Sequence, residues 1–143
     1  MIYISSDHAG FLLKKNIIDY LNSTKLKYED LGAFVFEKKD DYPIFAQNLV
    51  KKILLDKESI GILICDTGEG MVISANRFKG IRATLCLDEF LAKRAKLHNN
   101  ANALVLSAIY NKDNYKEVVN VFLNTPFSGK IRHKRRINMI DKI

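Results

Sequence analysis

The segment with the clearest chemical potential is a cysteine that leads into a glycine-containing loop, Cys65-Asp66-Thr67-Gly68-Glu69-Gly70. It ends a run of consecutive apolar residues, 62–65, which is typical of a parallel strand buried on both faces. Glycines between a strand and a helix let backbone N–H groups turn toward an anion. A helix N-terminus and a nearby cation can also lower the pKa of a thiol toward 7, which makes the thiol a base or nucleophile. We therefore predict that Cys65 is reactive; a buried core cysteine beside a plain tight turn is the alternative.

The three histidines provide a second set of candidates, because each lies in a polar segment. His8 follows Asp7 directly after a strand-length run, and His98 precedes Asn99 at the end of a helical pattern. Both positions also have structural interpretations, in which Asp7 caps a helix and His98 is a cation at a helix C-terminus. The third histidine belongs to the basic run Arg132-His133-Lys134-Arg135-Arg136.

This basic run predicts an anion site on a helix. Arg132 and Arg136 are four residues apart and therefore share one helical face. Two guanidinium groups on one face suit a phosphate dianion, although a solvated basic helix end would have the same sequence. Nucleic-acid binding is not expected, because no aromatic residues are interleaved with the basic ones.

Five short apolar runs must position these residues, and they span 2–5, 27–31, 60–65, 81–87 and 103–107. Amphipathic helical patterns lie between them, and residues 131–143 form one more such pattern. This alternation predicts an α/β fold with a five-stranded parallel sheet and helices on both faces. Ligands bind at the carboxyl ends of the strands in such sheets, so we expect the polar segments near residues 7, 66 and 98 to gather there.

Composition excludes several classes of protein. The chain has 143 residues, 48% of them apolar, and a formal charge of +7. No apolar run approaches the roughly 20 residues of a membrane span, and Asp7 interrupts any signal-peptide pattern. The two cysteines are too few for a disulfide framework and lack zinc-ligand spacing, so we expect reduced thiols, a cytoplasmic location and no metal.

Taken together, the motifs have a specific order along the chain. They are Asp7-His8-Ala9-Gly10, Asp41-Tyr42-Pro43, Cys65-x-Thr67-Gly68-x-Gly70, Ala75-Asn76-Arg77, Gly80-Ile81-Arg82, His98-Asn99 and Arg132-His133-x-x-Arg136. This order resembles the type B ribose-5-phosphate isomerases and the related galactose-6-phosphate and allose-6-phosphate isomerases. The resemblance implies one three-layer α/β/α Rossmann-like domain over residues 1–143. It also implies a homodimer, or possibly a tetramer, with active sites shared between subunits and no cofactor.

The resemblance also implies roles for individual residues. Cys65 resembles the base that moves a proton between C1 and C2 of a sugar phosphate, and His98 the acid that helps to open the furanose ring. The C-terminal helix, about residues 130–143, is expected to pack on or reach toward the partner subunit. The remaining expected contacts are Asp7 to sugar oxygens, Thr67 with Asp66, Gly68, Glu69 and Gly70 as the enediolate cradle, Asn99 as a further sugar or cradle contact, Tyr42 as a pocket wall, and His8, Arg132 and Arg136 to phosphate.

The expected reaction is the interconversion of D-ribose 5-phosphate and D-ribulose 5-phosphate through a cis-enediolate, a step of the non-oxidative pentose phosphate pathway. A hexose-6-phosphate isomerase of the same family remains an alternative, as does a non-catalytic relative that binds phosphosugar or nucleic acid. The second alternative is suggested by three departures from the family pattern. Asp66 replaces a common glycine, Glu69 replaces a small or apolar residue, and Ile109 stands where relatives often have an arginine.

Overall fold

The computed structural model describes all 143 residues. Its centre is a parallel five-stranded sheet in the order β2-β1-β3-β5-β4. The elements are β1 (Ile2–Ser6), α1 (Phe11–Ser23), β2 (Tyr28–Asp30), α2 (Tyr42–Leu55), β3 (Ile60–Cys65), α3 (Glu69–Ala75), β4 (Ala83–Leu85), α4 (Glu89–Asn99), β5 (Ala103–Ser107), α5 (Tyr115–Asn124) and α6 (Ile131–Ile140). None of the helices is long and apolar enough to cross a membrane.

The helices cover both faces of the sheet, which confirms the predicted three-layer α/β/α fold. Residues of α1, α4 and α5 form one apolar cluster, and residues of α2 and α3 form the other. Strand β3 contributes to both, because Ile62 and Ile64 point into the first cluster whereas Leu63 and Cys65 point into the second. This alternation explains the uninterrupted apolar run in the sequence, since both faces of a central strand are buried.

Two predicted strands are shorter than their apolar runs. Residues 27–31 and 81–87 were expected to be extended, whereas β2 and β4 contain three residues each. Both strands lie at edges of the sheet, where only one neighbour provides hydrogen bonds. The predicted C-terminal helix begins at Ile131 as expected but ends at Ile140.

The strand order places a topological switch point between β1 and β3. From β1 the chain crosses one face through α1 to β2, and it returns across the other face through α2 to β3. Crossovers that leave on opposite faces open a crevice at the carboxyl ends of the two strands. Asp7 follows β1 and Asp66 follows β3, so the first candidate segments meet at this crevice.

Candidate active site

The loop after β1 is held by its own aspartate. The Asp7 carboxylate is buried and accepts a hydrogen bond of 3.0 Å from the Gly10 N–H. Gly10 lies so close to the Ile64 carbonyl that a Cβ would stand 2.5 Å from its oxygen, which fixes the loop against β3. Burial raises the pKa of Asp7, although the Gly10 N–H and neighbouring His8 act in the opposite direction.

Cys65 ends β3 inside the same crevice. Its Sγ is buried and accepts a hydrogen bond of 3.2 Å from the Gly68 N–H, which confirms the predicted orientation toward a helix N-terminus. Gly68 has φ +90°, a conformation that favours glycine, and a Cβ there would stand 2.5 Å from Leu85. The loop geometry therefore depends on glycine at position 68.

The pKa of the Cys65 thiol is raised in the single chain, so the lowering that a helix N-terminus and a cation could cause is not seen there. Burial is the largest cause, and the negative charges of Asp7 and Asp66 add to it. The backbone N–H groups of Gly68 and Met71 favour the thiolate, but they do not outweigh burial. No cation of the same chain is among the main causes of this shift.

The loop from Asp66 to Gly70 is anchored by its backbone while its acidic side chains are exposed. The Asp66 carbonyl accepts 2.7 Å and 3.3 Å hydrogen bonds from the Ser107 hydroxyl and the Ile109 N–H. Asp66, Thr67 and Glu69 are exposed. The Thr67 hydroxyl oxygen accepts a long 3.5 Å hydrogen bond from the Glu69 N–H. The backbone can thus face a ligand with little obstruction from these side chains.

Tyr42, the expected pocket wall, lies beside the loop that follows β3. It is the first residue of α2, and its ring lies directly against Gly70. A Cβ at position 70 would stand 2.7 Å from two atoms of the ring, Cε2 and Cζ. Glycine at this position therefore allows the tyrosine to approach the loop.

His8 has a partner that the sequence did not reveal. Its Nδ1 lies 2.5 Å from Oδ1 of Asp40, which is 32 residues away in the chain. The Asp40 hydrogen bond is the main cause of a raised His8 pKa. The side-chain oxygen and nitrogen atoms of Asp7, His8 and Asp40 lie within 4.8 Å of one another, so two carboxylates stand close to the His8 imidazole.

The other candidate residues form a second cluster on α4 and α6. The rings of His98 and His133 pack against each other, with centroids 4.5 Å apart and ring planes tilted by 43°. His133 is buried, and its Nδ1 lies 2.6 Å from the Ser128 hydroxyl, a second partner that the sequence did not reveal. Arg132 donates from Nε to His133 Nε2 at 3.3 Å.

The anion-binding surface of this cluster is exposed. Asn99, Arg132 and Arg136 are all exposed, and the two arginines lie one turn apart on α6 as predicted. Helix α6 packs against α4 of its own chain through its buried residues His133 and Ile137. The guanidinium groups are consequently available to a ligand or to another chain.

Positive charge also distinguishes the second cluster from the first. The pKa of His98 is lowered by burial first, and then by the nearby cations Arg94, Arg132, Lys130 and Arg136. The pKa of His133 is lowered by burial and by the same C-terminal cations. Both imidazoles are therefore held in the neutral form near neutral pH.

The two clusters lie at opposite ends of the strands. We had expected all the segments to gather at the carboxyl ends. Helix α4 runs back from the carboxyl end of β4, so His98 and Asn99 lie near the strand starts. The Asn99 carbonyl accepts a 3.1 Å hydrogen bond from Arg82, just before β4. Nearby, the Asn102 carbonyl accepts one of 2.9 Å from Gly61 at the start of β3, whereas Cys65 ends that strand. The two groups of candidate residues therefore do not meet within one chain.

Comparison with known proteins gives consistent matches over nearly the full chain. Residues 2–140 match the model of a family described as Ribose/Galactose Isomerase. A probable ribose-5-phosphate isomerase B of Mycoplasma genitalium is 41% identical over 141 residues, which cover 97% of this chain and 92% of the relative. The ribose-5-phosphate isomerase B of Mycolicibacterium paratuberculosis is 35% identical over 140 residues, which cover 97% and 88%.

Solved structures agree with this pattern. A ribose 5-phosphate isomerase from Thermotoga maritima superimposes with a TM-score of 0.94 at 45% identity, covering 99% of this chain and 97% of the other. The Mycoplasma genitalium ribose-5-phosphate isomerase B with bound ribulose-5-phosphate gives a TM-score of 0.92 at 41% identity, covering 99% and 93%.

Proposed function

The chain belongs to the ribose/galactose isomerase family, and we propose from this premise that it interconverts D-ribose 5-phosphate and D-ribulose 5-phosphate. The observation that carries the proposal is the buried thiol of Cys65 at the β1–β3 crevice, hydrogen-bonded to the Gly68 N–H. A base beside backbone N–H donors is the arrangement that proton transfer next to a carbonyl requires.

In the proposed reaction, the Cys65 thiolate removes the proton from C2 of the open-chain aldose. The C–H electron pair forms the C1–C2 double bond of the enediolate, and the carbonyl electrons move to O1. The hydroxyl proton on O2 is transferred to O1, and the same sulfur then returns its proton to C1 as the O2 electrons form the new carbonyl, so no external oxidant is needed. Backbone N–H groups of the Thr67–Gly70 loop would stabilise the oxyanion, and one such donor is typically worth about 3–4 kcal/mol.

We further propose that the working enzyme is at least a homodimer. The arginines proposed to bind phosphate and His98 lie near the starts of the strands, whereas Cys65 lies at the carboxyl end of β3. One chain therefore cannot bring both Cys65 and these residues to the same small sugar. A second copy related by a two-fold axis would bring its α4–α6 cluster to the first copy's crevice, and the reverse. Helix α6 would then reach toward the partner with Arg132 and Arg136 exposed for phosphate.

Within such a shared site, the neutral state of His98 suits ring opening. A neutral imidazole can take the proton of the anomeric hydroxyl, and the resulting imidazolium can protonate the ring oxygen. Asp7 and Asn99 would hold sugar hydroxyls, and Tyr42 would close one side of the pocket. Both cysteines are free, which suits the further proposal that the enzyme works in the reducing cytoplasm.

A substrate comparison tests the reaction. Purified protein is assayed with ribose 5-phosphate, allose 6-phosphate and galactose 6-phosphate at equal concentrations. We expect the highest kcat/KM with ribose 5-phosphate. Turnover restricted to a hexose phosphate would instead identify the hexose-6-phosphate isomerase, and absence of turnover with all three would contradict the proposal.

A mixing experiment tests the shared site. Cys65→Ala and His98→Asn chains are each expected to be nearly inactive, because each homodimer lacks one catalytic group in both sites. Random reassociation after dissociation makes half of the dimers mixed, and each mixed dimer regains one intact site. Activity should therefore recover to about a quarter of the wild-type value. No recovery, although mixed dimers are demonstrated by mass, would show that the two half-sites do not combine.

A further inference from the structure

The segment between β2 and α2 is fixed at its start by a buried lysine. Lys14 of α1 is fully buried, and its Nζ donates to both carboxylate oxygens of Asp30 at 2.7 and 2.9 Å. The same Nζ donates to the Ala33 carbonyl at 2.7 Å, and Asp30 also accepts from the Gly32 N–H at 3.0 Å. This network anchors the start of the loop formed by residues 31–41. Backbone hydrogen bonds from the Leu31 and Ala33 N–H groups to carbonyls of β1 fix the same part of the loop.

The anchored loop places Asp40 and Phe36 against His8. The Asp40 Oδ1 lies 2.5 Å from His8 Nδ1, with side chains 10% and 30% exposed. The Phe36 ring meets the His8 ring edge-on at 6.0 Å and also contacts the Phe11 ring of α1 at 6.3 Å. The imidazole is thus held on two sides while His8 Nε2 has no hydrogen-bond partner within the chain.

The electrostatic surroundings favour a charged His8. Three carboxylates face it from separate elements: Asp7 at the end of β1, Asp40 in the loop, and Asp66 after β3. They raise its pKa, and the hydrogen bond to Asp40 is the largest cause. The second oxygen of Asp40, Oδ2, is buried without a partner. A buried carboxylate with an unpaired oxygen is costly unless a charged group compensates it, and an imidazolium provides that charge.

We propose that Asp40 is a positioning residue for the isomerase reaction: it keeps His8 protonated and directs the free Nε2–H of His8 toward the phosphate of the substrate. This inference rests on the proposed function, because it takes a sugar phosphate as the ligand of the crevice. It assigns to residue 40 a role that depends on charge as well as on packing. Asp40→Asn separates the two contributions, because the amide oxygen can still accept from Nδ1–H but provides no negative charge.

Two measurements test the proposal. The first is an NMR titration of His8 in the folded protein, with its signal assigned by absence in His8→Gln. Its midpoint should lie above 6.5 in the wild type and move to lower pH in Asp40→Asn. The second is KM for ribose 5-phosphate from pH 6 to pH 8. Relative to the wild type, KM of Asp40→Asn should rise about tenfold over this range, because a charge-assisted hydrogen bond to phosphate becomes a neutral one.

Matched variants keep the test specific. Glu37→Gln removes one negative charge from the exposed part of the same loop and should leave both measurements unchanged. Asp40→Ala should lower the His8 midpoint like Asp40→Asn, and it should raise KM even at pH 6 because the orientation is also lost. The substrate phosphate and the other titrating groups are the same in all variants. The difference between a variant's KM profile and the wild-type KM profile therefore reports the substitution.

The outcomes separate this inference from the proposed function. An unchanged His8 midpoint in both Asp40 variants, or identical KM profiles in an active enzyme, would overturn the role of Asp40 and leave the isomerase intact. Absence of turnover in the wild type would refute the proposed function and with it the phosphate role, whereas the NMR titration would still decide whether Asp40 controls the charge of His8.

Discussion

The β1–β3 crevice and the α4–α6 cluster each contain a candidate histidine, but the charges around the two histidines have opposite sign. His8 in the crevice is surrounded by the carboxylates of Asp7, Asp40 and Asp66, which raise its pKa. His98 in the cluster is partly buried among arginines and a lysine, and its pKa is lowered. The identity of a histidine therefore says little about its charge; the surrounding elements determine it.

The two regions also differ in how the chain builds them. The crevice uses strand ends and close backbone approaches at Gly10, Gly68 and Gly70, so its donors and its thiol are fixed by the sheet. The cluster uses exposed side chains on two helices, and its arginines have no carboxylate partner in the chain. In the proposed mechanism, the crevice would provide an oriented base and the cluster would provide positive charge for the phosphate. Each would lack a necessary part of the reaction without the other.

The largest effect expected from this comparison is the loss of the base. Cys65→Ala should lower kcat by at least about 100-fold, because general base catalysis contributes roughly 10²–10⁴-fold. Cys86→Ala is the matched control, since Cys86 is also buried but lies outside the crevice and burial raises its pKa to about 12. Circular dichroism and thermal melts should show that both variants are folded. Near-normal turnover of Cys65→Ala would remove Cys65 from the mechanism.

The pH dependence of kcat/KM for the wild type should show whether the α4–α6 cluster of a second copy changes the pKa of the Cys65 thiol. The pKa of Cys65 is raised in the single chain, so the thiolate fraction should grow about tenfold per pH unit through neutrality. If the assembled site keeps that environment, kcat/KM for ribose 5-phosphate should rise between pH 7 and pH 8.5. A plateau that begins below pH 7.5 would instead show that the second copy supplies cations that lower the thiol pKa.

Loss of one phosphate ligand in the cluster should have a smaller effect, mainly on binding. Arg136→Ala should raise KM for ribose 5-phosphate by about tenfold or more with a smaller change in kcat, because a charge-assisted hydrogen bond is worth roughly 1.5–3 kcal/mol. Lys134→Ala is the control, since Lys134 is exposed on the same helix and lies two residues from both Arg132 and Arg136, which places it on another face. Equal KM values for the two variants would exclude Arg136 from the phosphate site.

The crevice was largely predictable from the sequence, and the cluster was only partly so. A buried strand followed by a loop with glycines indicates a ligand-facing turn, and Cys65 and Gly68 occupy it as expected. The arginine spacing on α6 followed from helical periodicity alone. Both predictions depend on short-range geometry, which the order of residues determines directly.

Longer-range relations were not predictable. The strand order is not encoded in any local pattern. The sequence therefore did not show that His98 lies near the strand starts while Cys65 lies at the carboxyl end of β3. The pairing of His8 with Asp40 joins residues 32 positions apart through a loop without periodicity. The raised pKa of Cys65 depends on the burial of its sulfur, which the composition of the loop does not reveal.

The smallest expected effect is on the stability of the fold. Acidification should lower the stability contributed by the surroundings of His98 and raise that contributed by the surroundings of His8. His98 has a lowered pKa in the folded state, so the unfolded chain binds more protons as pH falls below about 6.5, and stability is lost on acidification. His8 has a raised pKa, so its contribution is complete below about 6.5 and is lost as pH rises through its folded-state value. Urea unfolding at several pH values measures both trends.

Two variants make this contrast measurable in one protein. Relative to the wild type, His98→Asn should lose less stability between pH 7.5 and pH 5.5, because the disfavoured protonation is removed. His8→Asn should be weakened most at low pH, where the wild type gains from the pair with Asp40. Parallel stability curves for the wild type and both variants would mean that neither environment distinguishes the charge states of its histidine. The opposite electrostatics of the crevice and the cluster would then have no effect on folding, and their contrast would have to be sought in substrate binding alone.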